Sequence, residues 1–145
     1  MELDETIRKL LHSQLLGVLA TQREGHPYTS LVAVVASDDL RSIWLATSRH
    51  SRKYTNLTTD ARVALLMDNR SGSPSDPFEG QSVTAIGVAA EVAPEQHPAT
   101  LRLYLAKHPQ LEEFVTAADT ALIQVAVERY LLVTQFQKVE ELRIQ

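Results

Sequence analysis

Five short stretches rich in β-branched and aliphatic residues follow one another through the first two thirds of the chain: Leu16–Thr21, Thr29–Ala36, Ser42–Thr47, Val63–Met67 and Ser82–Val92. Each reads as a strand. The first two are joined through Arg23-Glu24-Gly25-His26-Pro27 and the next two through Ser37-Asp38-Asp39-Leu40-Arg41. Links this short and this rich in turn formers favour antiparallel neighbours. Two later apolar runs, Ala121–Val127 and Tyr130–Val133, finish the sheet. Because strands follow strands instead of alternating with helices, the expected fold is mainly β, a closed or nearly closed antiparallel barrel with peripheral helices.

The helices are few. Leu3, Ile7, Leu10, Leu11 and Leu15 recur at helical spacing, with Asp4 and Glu5 in the first turn where the helix dipole favours acids. A short helical stretch falls at about 50–59. His97-Pro98 starts another helix with Leu101, Tyr104 and Leu105 on its apolar face; Pro109 stops it, and Leu111, Phe114 and Val115 mark a further turn. The loop Asn69–Gly80, with Gly72, Pro74 and Pro77, is the longest irregular segment and a candidate flap.

At 145 residues, 44% of them hydrophobic, the chain is expected to form a single domain over 1–145. Its 14 Lys and Arg against 18 Asp and Glu leave a net charge of −4, which argues against wrapping a nucleic-acid backbone. Cysteine is absent, excluding disulfides, thiolate metal sites and cysteine nucleophiles. No apolar run approaches the ~20 residues of a membrane span, and acids rather than a basic stretch open the chain, so a soluble, cytoplasmic protein is expected.

One segment breaks local rules. Thr47-Ser48-Arg49-His50-Ser51-Arg52-Lys53 packs three fixed positive charges into five residues of an acidic protein. If a helix starts near Ser51, Arg52 and Lys53 lie in its first turn, where the dipole disfavours cations by up to ~1 kcal/mol each. Two readings stand: solvated charges on a surface turn, or a cradle whose countercharge is a bound phosphate monoester, with helix N–H groups and the Thr47 and Ser51 hydroxyls as neutral donors. Other signals are weaker. The five histidines show no HxxxH or HxH spacing, so no metal site is expected. GxGxxG, GxxxxGK[ST] and GxSxG are all missing. Glu112-Glu113 and Glu140-Glu141 read as solvated surface, and Trp44 as core or interface edge.

The order of elements and the basic segment together resemble the pyridoxamine 5'-phosphate oxidase-like family of FMN-binding split barrels. The carrying motif is Thr47-x-x-x-Ser51-Arg52-Lys53, then Asn56-Leu57, then Asp60-Ala61-Arg62-Val63-Ala64-Leu65-Leu66. The resemblance implies that Thr47, Ser51, Arg52 and Lys53 hold the FMN phosphate. It implies that the backbone of Tyr28-Thr29-Ser30-Leu31-Val32 runs along the flavin ring, and that a polar side chain of Gln81-Ser82, opening Gln81–Gly87, reaches it. It further implies a homodimer with FMN at the interface. The C-terminal half, from Tyr104 and His108-Pro109 through Phe114 and Glu128-Arg129-Tyr130 to Val139, looks more like the haem-utilisation branch than the vitamin B6 oxidases. The sequence also departs from the family. The arginine that B6 oxidases carry on the first flavin-contacting strand is replaced by Thr29, Ser30 and Leu31, with Arg49 or His50 as candidates to compensate. The Arg-x-His substrate motif has no counterpart in Arg129–Gln145, and the extra C-terminal domain of many haem-utilising relatives is not expected here. The expectation is an FMN-binding flavoprotein using the flavin as a hydride or electron relay on a small-molecule substrate, with no catalytic side chain nominated. The alternatives are a haem-binding protein, or a module that holds a flavin or deazaflavin without turnover.

Overall fold

The structure is a computed structural model and describes residues 2–145. After helix α1 (Leu3–Ser13), strands β1 (Leu16–Arg23), β2 (His26–Ala36) and β3 (Ser42–Ser48) lead into helix α2 (Arg52–Thr59). Strand β4 (Arg62–Asp68), the short helix α3 (Asp76–Glu79) and strand β5 (Ser82–Glu91) follow. Helix α4 (His97–Lys107), a 3-10 turn at Pro109–Leu111 and the one-turn helix α5 (Glu112–Val115) precede strands β6 (Thr120–Thr134) and β7 (Lys138–Arg143). All neighbouring strands are antiparallel. Their order is β3-β2-β1-β4-β5-β6-β7, and a β3–β6 ladder closes the first six into a barrel, as the run of strands predicts.

The β1–β2 link is tighter than the sequence suggests. Only Glu24 and Gly25 turn, both at positive φ (53° and 81°), the two-residue hairpin whose twist matches its strands. Pro27 therefore lies inside β2, tolerated because that stretch is paired on one side only. The two C-terminal runs merge into the single 15-residue β6. Glu128-Arg129 reads as a break because it is polar, but Arg129 pairs with Ile86 and Val127 with Gly87, leaving Glu128 as the extra residue of a bulge. At Gly87 a Cβ would stand 2.2 Å from the Ala126 carbonyl oxygen, so the close approach requires glycine. β7 escapes sequence reading because four of its six residues are charged, and its Glu140 and Glu141 are exposed as expected. The Asn69–Gly80 loop is braced: the Asp76 carboxylate accepts from the Ser71 and Gly72 amides (3.0 and 2.8 Å) and from the Ser71 hydroxyl (3.1 Å).

The barrel interior holds Leu19, Val34, Ile43, Leu65, Ile123 and Tyr130 among others. α1 adds Ile7, Leu10 and Leu11 to this core and α2 adds Leu57, each buried side chain contributing about 1.5–3 kcal/mol. A second apolar layer lies outside, where Tyr104 of α4, Val35, Leu122 and the half-buried Trp44 pack together. Tyr104 donates its hydroxyl to the Ala33 carbonyl (3.0 Å), and His108 Nε2 lies 2.8 Å from the Val34 carbonyl, tying α4 to β2. Burial pushes the Tyr104 phenol up to about 12, so it stays a donor. Among the described residues no helix is long and apolar enough to cross a membrane.

Candidate functional site

The turn from β3 into α2 is built by hydroxyls. Ser51 is the N-cap of α2: its Oγ accepts from the Tyr54 amide (3.2 Å) and donates to the Ser48 carbonyl (2.8 Å). Thr47, almost wholly buried, places its Oγ1 2.7 Å from Ser51 Oγ. With the Ser51 hydrogen given to Ser48, Thr47 is the donor of that pair. Both hydroxyls thus fix the turn. Asn56, one helical turn further on, is buried and donates to Thr21 Oγ1 (3.1 Å), docking α2 on β1.

The three cations of this segment part company. Arg49 ion-pairs with Glu91 at the end of β5 and donates to the carbonyls of Ala118 (3.1 Å) and Thr120 (3.3 Å). Tyr54 donates its hydroxyl to the same carboxylate (2.9 Å). Burial works against the charged form of Glu91, but the hydrogen bonds from Arg49 and Tyr54 outweigh it and hold the carboxyl below its ordinary value. Arg49 therefore has its countercharge within the chain, and the expected three-charge cluster is reduced to two. The partner could not be foreseen, since Glu91 lies 42 positions away. His50 stands beside Asp119 (3.7 Å).

Arg52 and Lys53 differ. Among the described residues neither has a carboxylate within 4.0 Å. Arg52 is exposed, with its guanidinium carbon 5.2 Å from the centroid of the Tyr28 ring. Lys53 is half-buried in the first turn of α2.

Tyr28 belongs to the other half of the site. β2 pairs with β1 from His26 to Ala33, but meets β3 only at Val34, Val35 and Ala36. The stretch holding Thr29, Ser30, Leu31 and Val32 thus has a ladder partner on one side, leaving the backbone groups of its other edge without a strand. Among the described residues Ser30 Oγ is buried with no hydrogen-bond partner, a costly state for a polar atom. Leu31, on the opposite face of β2 from Ser30, is 65% exposed.

Gln81 and Ser82 lie elsewhere. Ser82 pairs with Asp68 and Val133 at the start of β5, whereas Gly87 pairs with Val63 near the α2 end of the barrel. Five residues of strand, roughly 17 Å, separate those levels. Thr47–Lys53 lies at the α2 end and Gln81-Ser82 at the other, lining a cavity of about 200 Å³ with Asp68, Arg70 and Phe136, while Thr29–Val32 runs between them, from Thr29 paired with Ala20 to Val32 paired with Gly17.

Around Val18 the outer face of β1, β2 and β4 presents apolar side chains. Val18 is the cross-strand neighbour of both Leu31 and Leu66, and Leu15, Leu16 and Leu66 are exposed beside it. α4 covers the adjoining part of the exterior, over β2 at Ala33 and Val35, β3 and β6.

A closed six-stranded antiparallel barrel with its helical turn at the β3 exit defines the split-barrel class. The family model for pyridoxamine 5'-phosphate oxidase matches residues 3–134, and the chain belongs to that family. Among solved structures, a heme binding protein from Mycobacterium smegmatis superposes with a TM-score of 0.87 at 23% identity, covering 99% of this chain and 58% of that one. A FAD-binding protein from Mesorhizobium loti gives 0.72 at 16% identity, covering 88% of this chain and 90% of that one. A putative pyridoxamine 5'-phosphate oxidase from Listeria innocua gives 0.71 at 13%, covering 91% and 98%. The chain thus spans little more than half the length of the Mycobacterium smegmatis protein. No curated protein matches it by sequence.

Proposed function

We propose that this chain binds FMN without a covalent bond, as a homodimer, and serves a flavin-dependent oxidation or reduction of a small molecule. The observation that carries the reading is the pair Arg52 and Lys53, two cations with no carboxylate within 4.0 Å among the described residues, beside a strand edge with an orphaned Ser30 hydroxyl. A phosphate monoester supplies about −1.5 to −2 charges and three acceptor oxygens, matching that deficit. FMN supplies hydride or electron transfer when bound; the protein's part is position and electrostatics. Arg52 and Lys53 would hold the phosphate, with Thr47 and Ser51 fixing the turn that presents them. The open edge of Thr29–Val32 would meet the polar rim of the ring, and Ser30 would gain a partner there.

Gln81-Ser82 stands at the end of β5 remote from the Arg52-Lys53 cradle. A second copy docked through the apolar face around Val18, Leu31 and Leu66 would bring its own Gln81-Ser82 to this site. Burying that face is the driving force for such a dimer. The whole of residues 1–145 would act as one FMN-binding domain, working in the cytoplasm.

A second reading, haem binding, draws on the likeness to the Mycobacterium smegmatis protein. Here His108 is buried against the Val34 carbonyl, which leaves His12, His26, His50 and His97 as the accessible candidates. A third, flavin storage without turnover, shares the phosphate site and differs only in whether bound flavin is reduced by a donor. Visible absorption spectra of the purified protein titrated with FMN and separately with haem decide among them. A flavin band with shifted maxima and quenched fluorescence supports the proposal. A Soret band with no flavin binding overturns it.

A further inference from the structure

Resting on the FMN reading, we infer that Tyr28 is a positioning residue for the phosphate site: its ring holds the Arg52 guanidinium in place while leaving the charge of that group unspent. The argument starts from the contrast between two arginines three positions apart. Arg49 is fixed by a carboxylate and two carbonyls, and its charge is cancelled by Glu91. Arg52 has no carboxylate within 4.0 Å among the described residues, and its ordering contact is the face of Tyr28, 5.2 Å from the ring centroid. An exposed arginine loses side-chain entropy when it is ordered at a ligand, which weakens binding. A carboxylate would order it and also neutralise it. An aromatic face orders it and cancels nothing, because the ring offers a quadrupole instead of a charge, and the N–H fork at the guanidinium edge stays open to an anion.

Tyr28 is itself well fixed. It sits in the β1–β2 ladder opposite Thr21, whose hydroxyl lies 3.5 Å from the Tyr28 carbonyl, and Thr21 is the residue that receives Asn56 of α2. The ring and the helix bearing Arg52 are therefore referenced to the same point on β1. Two residues along the same face of β2 is Ser30, with its orphaned hydroxyl. One strand thus carries both the group that steadies the phosphate ligand and the group left waiting for the ring. The family resemblance involves only the backbone of Tyr28; its side chain acquires a role through a contact with Arg52, 24 positions away.

The test titrates FMN and riboflavin, which share the ring and differ in the phosphate, into the full-length protein as wild type, Tyr28→Phe, Tyr28→Leu, Arg52→Ala and Tyr28→Leu plus Arg52→Ala. Flavin fluorescence is the readout, and melting of each ligand-free variant checks folding. The inference expects Tyr28→Leu to weaken FMN about three- to fivefold, the scale of an exposed cation–π contact. Riboflavin should stay within twofold, Tyr28→Phe should behave as wild type, and Tyr28→Leu should add nothing to Arg52→Ala. Equal losses for FMN and riboflavin, a loss that persists without Arg52, or no loss at all overturns the inference while the FMN reading stands. A wild type that binds no FMN overturns the reading itself, and the inference with it.

Discussion

Replacing Gly87 by alanine tests how the barrel places the site. The bulge at Ile86/Gly87 allows β6 to pair with β5 on both sides of Glu128 and still swing across to close on β3. That β3–β6 ladder includes Thr47 paired with Ala121 and Ser48 with Thr120, so it anchors the turn from which α2 begins. A methyl group at residue 87 would lie 2.2 Å from the Ala126 oxygen and 3.0 Å from Val127 Cα, both backbone atoms that no rotamer change can move. The strands must separate by about 1 Å, which costs overpacking strain of ~1–3 kcal/mol. At least one ladder hydrogen bond weakens as well, for ~1 kcal/mol more. The expected loss of about 2–4 kcal/mol corresponds to a fall in melting temperature of roughly 6–16 °C for a chain of this size. Thermal denaturation followed by circular dichroism reads it directly. Gly25→Ala is the control: its φ of 81° carries a backbone penalty of ~1 kcal/mol, but nothing lies within 4 Å of an added Cβ. A Gly87→Ala protein melting at or above the Gly25→Ala protein would refute the close-approach argument.

Two further outcomes follow from the charges around α2. Arg49→Ala should leave FMN affinity within about twofold, because Glu91 already holds that charge; it should lower the melting temperature by a few degrees, as the pair is about 38% exposed and worth at most ~1 kcal/mol. A tenfold loss of FMN affinity would return Arg49 to the phosphate site. The second concerns Asp60, where α2 passes into β4. Hydrogen bonds from the Arg62 side chain, then its backbone amide, bring the carboxyl down to about 2 from 3.8. A depressed carboxyl pKa stabilises the fold above the unfolded value, and that contribution disappears as pH falls through the folded one. Carboxyl NMR titration should therefore find a midpoint near 2 in wild type, moving toward 3.8 in Arg62→Ala; equal midpoints in the two proteins would refute the assignment.

The barrel was legible because its signals are local. Alternating or continuous apolar runs and turn residues at Glu24-Gly25 and Ser37–Arg41 mark strands wherever they fold. β7 was illegible for the opposite reason: Lys138, Glu140, Glu141 and Arg143 carry no apolar period, and only pairing with β6 makes them a strand. The Glu128-Arg129 interruption looked like a chain break because a bulge admits polar residues without ending the ladder. At the site, the clash of Arg52 and Lys53 with the helix dipole was visible in sequence, since it arises within four residues. The neutralisation of Arg49 by Glu91 and the stacking of Tyr28 on Arg52 depend on which strands the fold brings together, and no short-range pattern encodes either. The distance between Gln81-Ser82 and α2 likewise follows from ladder register.

The most direct measurement compares FMN affinity in wild type and in Arg52→Ala plus Lys53→Ala, with riboflavin alongside. Charge-assisted hydrogen bonds contribute about 1.5–3 kcal/mol each, so the double substitution should weaken FMN by roughly a hundredfold or more and erase its advantage over riboflavin. Equal FMN affinity in the two proteins would contradict the account.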